Sequence, residues 1–253
     1  MEYPFDALHA GIEGQILNLP TGIPDSQAVR QAKASPDSVE KFLTLGKALS
    51  RQLRYREAIA AYTEGLKAEP ENLSLLRLRA GRYLTTLQSD FAITDFEKCL
   101  SLGAEKLDCL YRIGLAHYYA GRYLRAMETL ESCLPLCDDE MGIAVLYWHT
   151  LSAARTEKAP MLLKYDRPDM AVGHHTAYEK AMQVWSGTMP LAAALEMLES
   201  EEDDLEYGIT LYGLLWHPDC TEKECLSQSL LRRDGFWPSF AYIAAWKDWA
   251  GTQ

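Results

Sequence analysis

The sequence predicts an all-α solenoid of antiparallel helix pairs, and three observations predict it. A pattern of small and bulky residues in "LGKALSRQLRYREAIAAYTEGLKAEP", Leu45 to Pro70, recurs twice downstream at a constant offset of 34 residues. The small residues fall where two helices must approach closely. Pro70 cannot continue a helix and Asn72 can cap the next one, so the chain turns between copies.

The first tile begins near Val39 and spaces Phe42, Leu45, Gly46 and Leu49 on one helix, with Ala58 and Tyr62 on the next. Adding 34 gives Leu76, Arg79, Ala80, Tyr83, Ala92 and Phe96; adding it again gives Leu110, Ile113, Gly114, His117, Ala126 and Leu130. The second and third tiles therefore begin near Leu73 and Leu107, and the third carries the fullest turn, "YYAGRYLRAM", with Gly121 and Tyr123. Helices come within about 8 to 10 Å only where side chains are small, so Gly46, Ala80 and Gly114 are expected opposite Ala58, Ala92 and Ala126. Unrelated amphipathic helices would not share the phase of small and large residues over three tiles.

Downstream the pattern decays. A fourth tile near Met141 offers Ala144, Tyr147 and Leu151, but Trp148 stands where a small residue belongs and "KAPMLLKYDRP" shortens its second helix. A fifth runs from about His174 through Ala177, Ala181, Val184 and Ala193, turning at "WSGTMP". A sixth places Ile209, Tyr212, Gly213 and Trp216 before Cys225, turning at "HPDCTEKE". The last helix, in "FWPSFAYIAAWKDWAG", aligns Phe236, Phe240, Ile243 and Ala244 as a capping stripe with Trp246 and Trp249 beside it. Terminal repeats are atypical because one face has no neighbour. The expected organisation is thus an irregular cap or strap over 1–35, three regular repeats over 39–137, degenerate repeats over 138–236 and a capping helix over 237–253.

The chain has 253 residues, 48% hydrophobic, with a formal net charge of −11. That field repels phosphate backbones and anionic lipid, which argues against nucleic acid or membrane as the main partner. No basic flank precedes an apolar run at the start, and no segment reaches the roughly 20 apolar residues of a membrane span, so a cytoplasmic location is expected. The six cysteines are then expected as thiols rather than disulfides.

The repeating residues resemble the tetratricopeptide repeat superfamily, well over residues 39 to 137 and weakly over roughly 138 to 236. The stretches "LRLRAGRYLTTLQSDFAITDFEKCLSLG", "LYRIGLAHYYAGRYLRAMETLESCL" and "WPSFAYIAA" are similar to a group of bacterial tetratricopeptide proteins without an assigned activity, so no activity is carried over. The superfamily resemblance implies a right-handed superhelix whose first helices line a concave groove for peptides or partner helices. In that fold the groove positions select Lys47 and Arg51, Arg77, then Tyr111, Arg112, Tyr118 and Tyr119, then His149. A basic and aromatic wall within an acidic molecule would steer an acidic or C-terminal peptide segment toward it. Arg grips a carboxylate with two hydrogen bonds, and Tyr supplies contact area at little entropic cost. Exposed helical cations with intrahelical partners are the plainer account of the same residues. The subclass that clamps chaperone C-termini needs polar residues where Leu43 and Leu78 stand, and only Arg112 matches, so that specific partner is rejected. Glu2, Asp6 and Glu13 would let the N-terminal segment occupy the groove itself.

Chemistry is scarce. His217, Cys220 and Cys225, completed by His174 or His175, match no strong zinc spacing, and Cys225 falls at a packing position as Cys99 and Cys133 do. Cys133 and Cys137 lie beside Asp138 and Asp139, which raise a thiol pKa. The acidic run Glu199 to Gly208 has the wrong spacing for a Ca²⁺ loop and reads as a solvated link. No glycine-rich phosphate loop follows a strand. The expected protein is a non-enzymatic protein- or peptide-binding module without a cofactor. Self-association through the aromatic C-terminal cap is the alternative, and a thiol- or metal-dependent enzyme at His217 and Cys220 ranks last.

Overall fold

A computed structural model describes residues 24–156, 158–233 and 235–251, and among them every regular element is helical. The helices are α1 (Gln27–Ala34), α2 (Val39–Arg51), α3 (Tyr55–Ala68), α4 (Leu73–Thr85), α5 (Ser89–Ser101), α6 (Lys106–Tyr119), α7 (Tyr123–Cys133), α8 (Asp139–Ala154), α9 (Thr176–Trp185), α10 (Leu191–Glu199), α11 (Asp204–Leu215), α12 (Lys223–Arg232) and α13 (Phe240–Ala250). The chain divides into two compact units, Met1–Ala116 and His117–Gln253, and the division falls inside α6.

In the first unit α2 packs on α3, α3 on α4 and α4 on α5. Gly46 explains the first pairing: a Cβ there would meet the Tyr62 ring at 2.2 Å, so only hydrogen lets α2 and α3 close. Ala58, Ala80 and Ala92 are fully buried at the matching small positions. Asn72 caps α4 by accepting from the Leu75 N–H at 3.1 Å, as its place after Pro70 suggested. Arg79 locks α4 to its neighbours through two hydrogen bonds to Asp95, at 2.7 and 2.8 Å, and a third to Thr63 at 3.1 Å.

The repeat is written most clearly in the backbone. Arg54 N donates to Leu49 O, Gln88 N to Tyr83 O and Arg122 N to His117 O, at 3.1, 2.8 and 2.9 Å. Each bond spans a residue two places before the next helix, and those residues, Leu53, Leu87 and Gly121, have φ of +62°, +56° and +71°. This is one helix-ending turn used three times at the 34-residue offset. Two of its three left-handed positions carry leucine, which is strained there.

The second unit is organised around α8 and α11. Every residue from Gly142 to Ala153 in α8 and from Tyr207 to Leu215 in α11 is buried. Helices apolar on all sides belong inside, and these two read that way. At Gly213 a Cβ would meet the Tyr147 ring at 2.6 Å and Ala181 Cβ at 2.7 Å, so α8, α9 and α11 converge on a residue without a side chain. Trp148, in the place of a small residue, is fully buried. The shortened second helix expected after α8 does not form: among the described residues of 155–175 there is one short 3-10 turn, Leu163–Tyr165. Asp139 and Glu140 anchor that segment at the start of α8, accepting from Arg167, from Ala171 N at 3.0 Å and from His174 N at 3.0 Å.

Two boundaries differ from the sequence reading. Part of the segment expected to be irregular is helical: Ser26 caps α1 and Val29 and Ala32 pack it on α2. The final helix starts at Phe240 with Ser239 as its cap, which leaves Phe236 outside the helix and 51% exposed rather than on a capping stripe. Glu2, Asp6 and Glu13 lie outside the described residues.

Candidate functional site

The expected groove residues divide by unit. On α2 Lys47 and Arg51 stand one turn apart, both exposed, and among the described residues neither has an ion-pair partner. On α4 Arg77 is half-exposed, and its Nε donates to Asp108 Oδ2 at 2.8 Å. On α6 Arg112 Nε donates to the other oxygen of the same carboxylate at 2.9 Å. Burial pushes the Asp108 carboxyl upward, but the two guanidiniums outweigh it and hold its pKa below the ordinary value. The Asp108 bond in turn raises Arg77. Two of the four cations, Arg77 and Arg112, therefore share one anion, while Lys47 and Arg51 remain open to solvent.

The aromatic members and the histidine are core, which corrects the expectation of an open aromatic wall. Tyr111 is buried in the first unit. In the second unit Tyr118 shares a hydrogen bond of 2.7 Å with Tyr212 of α11, and Tyr119 donates to the Phe240 carbonyl at the start of α13 at 2.9 Å. His149 is fully buried, with Nε2 3.2 Å from Glu131 of α7. The physical reason is occupancy: in the second unit the faces that carry Tyr118 and Tyr119 are covered by the chain's own α11 and α13.

That covering includes a polar chain that sequence reasoning missed. Arg155, at the end of α8, pairs with both oxygens of Asp248 on α13, at 2.9 and 3.1 Å, and Tyr212 donates to the same carboxylate at 2.7 Å. The guanidinium lies 3.7 Å from the Trp216 ring centroid and 4.6 Å from that of Tyr123. Burial lifts the Tyr118 and Tyr212 phenols far above their ordinary range, and nearby Asp248 adds to it, so both stay protonated donors. A cavity of about 460 Å³ opens beside this network, between α11, α12 and α13, with Trp216, Lys223, Ser227 and Trp249 among its walls. The readable signal was charge at or near the end of each apolar run: Arg155 after "GIAVLYWHTLSAA" and Asp248, beside Lys247, within "FAYIAAWKDWA".

The residues weighed for metal or thiol chemistry are dispersed. His217 stacks edge-on with Trp185, and His174 and His175 are tied to Glu140. Cys220 is buried, and burial pushes its thiol upward, away from a nucleophilic thiolate; Cys225 is exposed. Cys99 is pushed up to about 11 by burial. Among the described residues no three His, Cys, Asp or Glu side chains gather as metal ligands would, and no helix is long and apolar enough to cross a membrane.

No family model matches the chain. A curated relative from Saccharomyces cerevisiae (strain ATCC 204508 / S288c), small glutamine-rich tetratricopeptide repeat-containing protein 2, is 28% identical over 122 residues, covering 48% of this chain. The chain spans about a third of that relative's length, 34%. A solved structure described as YrrB, a TPR protein with an unusual peptide-binding site, aligns at 13% identity and a TM-score of 0.46, covering 89% of this chain and 98% of that one. With its 34-residue tiles, the turn repeated at Leu53, Leu87 and Gly121 and the curated match, the chain resembles the tetratricopeptide repeat superfamily.

Proposed function

We propose that this chain is a non-enzymatic protein-interaction module whose first unit holds an acidic or C-terminal peptide segment on the first-helix residues Lys47, Arg51, Arg77 and Arg112. The observation that supports it is Asp108. A carboxylate of the chain itself already sits between Arg77 and Arg112, one oxygen to each, while Lys47 and Arg51 have no anion among the described residues. Against a net charge of −11, such a concentration of cations favours an anionic ligand and speeds its approach. Tyr118, Tyr119 and His149 take no part in this reading. Self-association through the C-terminal cap has less surface to use, because Tyr242 and Trp246 are buried and, among the described residues of the cap, Phe236 alone is a strongly exposed large hydrophobic.

The test is fluorescence anisotropy with a labelled glutamate-rich peptide bearing a free C-terminus, compared with its amidated form. Lys47→Glu with Arg51→Glu should weaken capture about tenfold without loss of fold, since neither side chain supports a partner. Arg77→Glu with Arg112→Glu should weaken it as well, but it also strands Asp108. Unchanged capture by the first pair would remove the assignment.

A further inference from the structure

Helix α10, "LAAALEMLE", is apolar on nearly every side, yet only Ala194 and Leu198 of its nine residues are buried. Met197 is 49% exposed, Ala192 is exposed and Leu191, Ala193 and Leu195 are partly so. An apolar helix belongs in a core, and this one has a core on one side only. Beside it runs a groove of about 470 Å³ floored by Leu195 and Leu198 of α10, Leu211 of α11 and Leu226 of α12. Three carboxylates rim that groove, Glu196 and Glu199 from α10 and Glu222 at the start of α12. All three are exposed, and among the described residues none has a cationic partner. Elsewhere in the same unit some acids are matched, as Glu128 is by Arg125 and Asp139 by Arg167, but among the described residues no basic side chain is paired with this rim. The groove therefore combines unspent apolar surface with unmatched negative charge.

We propose that this groove docks an amphipathic helix of a protein partner, apolar on one face and flanked by Lys or Arg. An amphipathic helix lays residues spaced three and four apart into such a groove. Its apolar face completes the burial of α10, and its basic flanks meet Glu196, Glu199 and Glu222. An acidic helix or an anionic surface is repelled by the same rim. This site is separate from the cationic residues of the first unit and selects ligands of the opposite charge.

The probe is a fluorescein-labelled 18-residue Leu/Lys amphipathic peptide, titrated with the full chain, alongside a Leu/Glu peptide with the same apolar face. The Leu/Lys peptide should bind and weaken with salt, and the Leu/Glu peptide should not bind. Glu196→Lys, Glu199→Lys and Glu222→Lys together should reduce Leu/Lys affinity about tenfold or more. A control carrying Asp37→Lys, Glu97→Lys and Glu128→Lys has the same net charge, and it should change affinity by no more than about twofold. Leu195→Ser with Met197→Ser should weaken binding with the rim intact, and circular dichroism confirms that the helices remain. Equal losses in the two triple variants would mean attraction to net charge only and would overturn the site. Self-association of the wild-type protein that the groove triple variant abolishes would give the groove to a second copy and overturn the proposed partner.

Discussion

The turn after α2 and the segment after α8 solve one problem in different ways. After α2, residues 52–54 reverse the chain with one bond from Arg54 to Leu49 and a left-handed Leu53, and the solution reappears at Leu87 and Gly121. After α8 the described residues of 155–175 form no α-helix; Arg167, Ala171 and His174 are held by Asp139 and Glu140, while Arg155 reaches Asp248 on the last helix. The first solution is local, so each helix pair packs on its sequence neighbours and its outer faces stay available. The second is long-range, and it spends those faces inside. On α2 Lys47 and Arg51 stay exposed, whereas Tyr118 and Tyr119 are buried against Tyr212 and the start of α13.

A shielded arginine and carboxylate pair in each unit, Arg155 with Asp248 and Arg79 with Asp95, gives the sharpest way to test this difference. Asp248→Ala should cost about 3 kcal/mol or more in urea unfolding, because it leaves Arg155 uncompensated and removes the acceptor of Tyr212. Asp95→Ala should cost a similar amount through Arg79 in the first unit. Hydrogen exchange separates the two: the first should loosen α13, the second α4 and α5. Gly46→Ala and Gly213→Ala come next, at about 1 to 3 kcal/mol each, since the added methyl meets an aromatic ring in either unit. A smaller effect of opposite signs is expected at the repeated turn. Gly121→Ala should lose about 1 kcal/mol, and Leu53→Gly should gain a few tenths to about 1, as measured by chemical denaturation.

The smallest effect concerns pH. Burial is the main cause holding His149 below the 6.5 of a free imidazole, and the Glu131 bond opposes it. The unfolded chain therefore binds this proton first. The histidine's contribution is complete above about 6.5 and is lost as pH falls through the window below it. Stability of His149→Gln, subtracted from wild type across that window, should show less acid sensitivity in the variant.

How much of this was legible depends on how local the cause is. Starts at Val39 and Leu73 were readable because Pro70, Asn72 and the small residues act within a few positions. Pro160 and Pro168 suggested only a shortened second helix after α8, whereas the described residues of 155–175 hold no α-helix. Helix α1 was hidden by the prolines around it, although Ser26 was a capping residue in plain sight. In the site, the cations of the first three tiles were visible as charges. The burial of Tyr118 and Tyr119 was not, because what covers them lies 94 and 121 residues away at Tyr212 and Phe240. A heptad or a cap cannot report a contact at that separation.

The most direct measurement is an amide chemical-shift titration of the full chain with an acidic peptide. The account predicts perturbations clustered around Lys47, Arg51, Arg77 and Arg112, with the amides of Tyr118, Tyr119 and Tyr212 unmoved. Perturbations centred on those tyrosines, with none on α2 and α4, would contradict it.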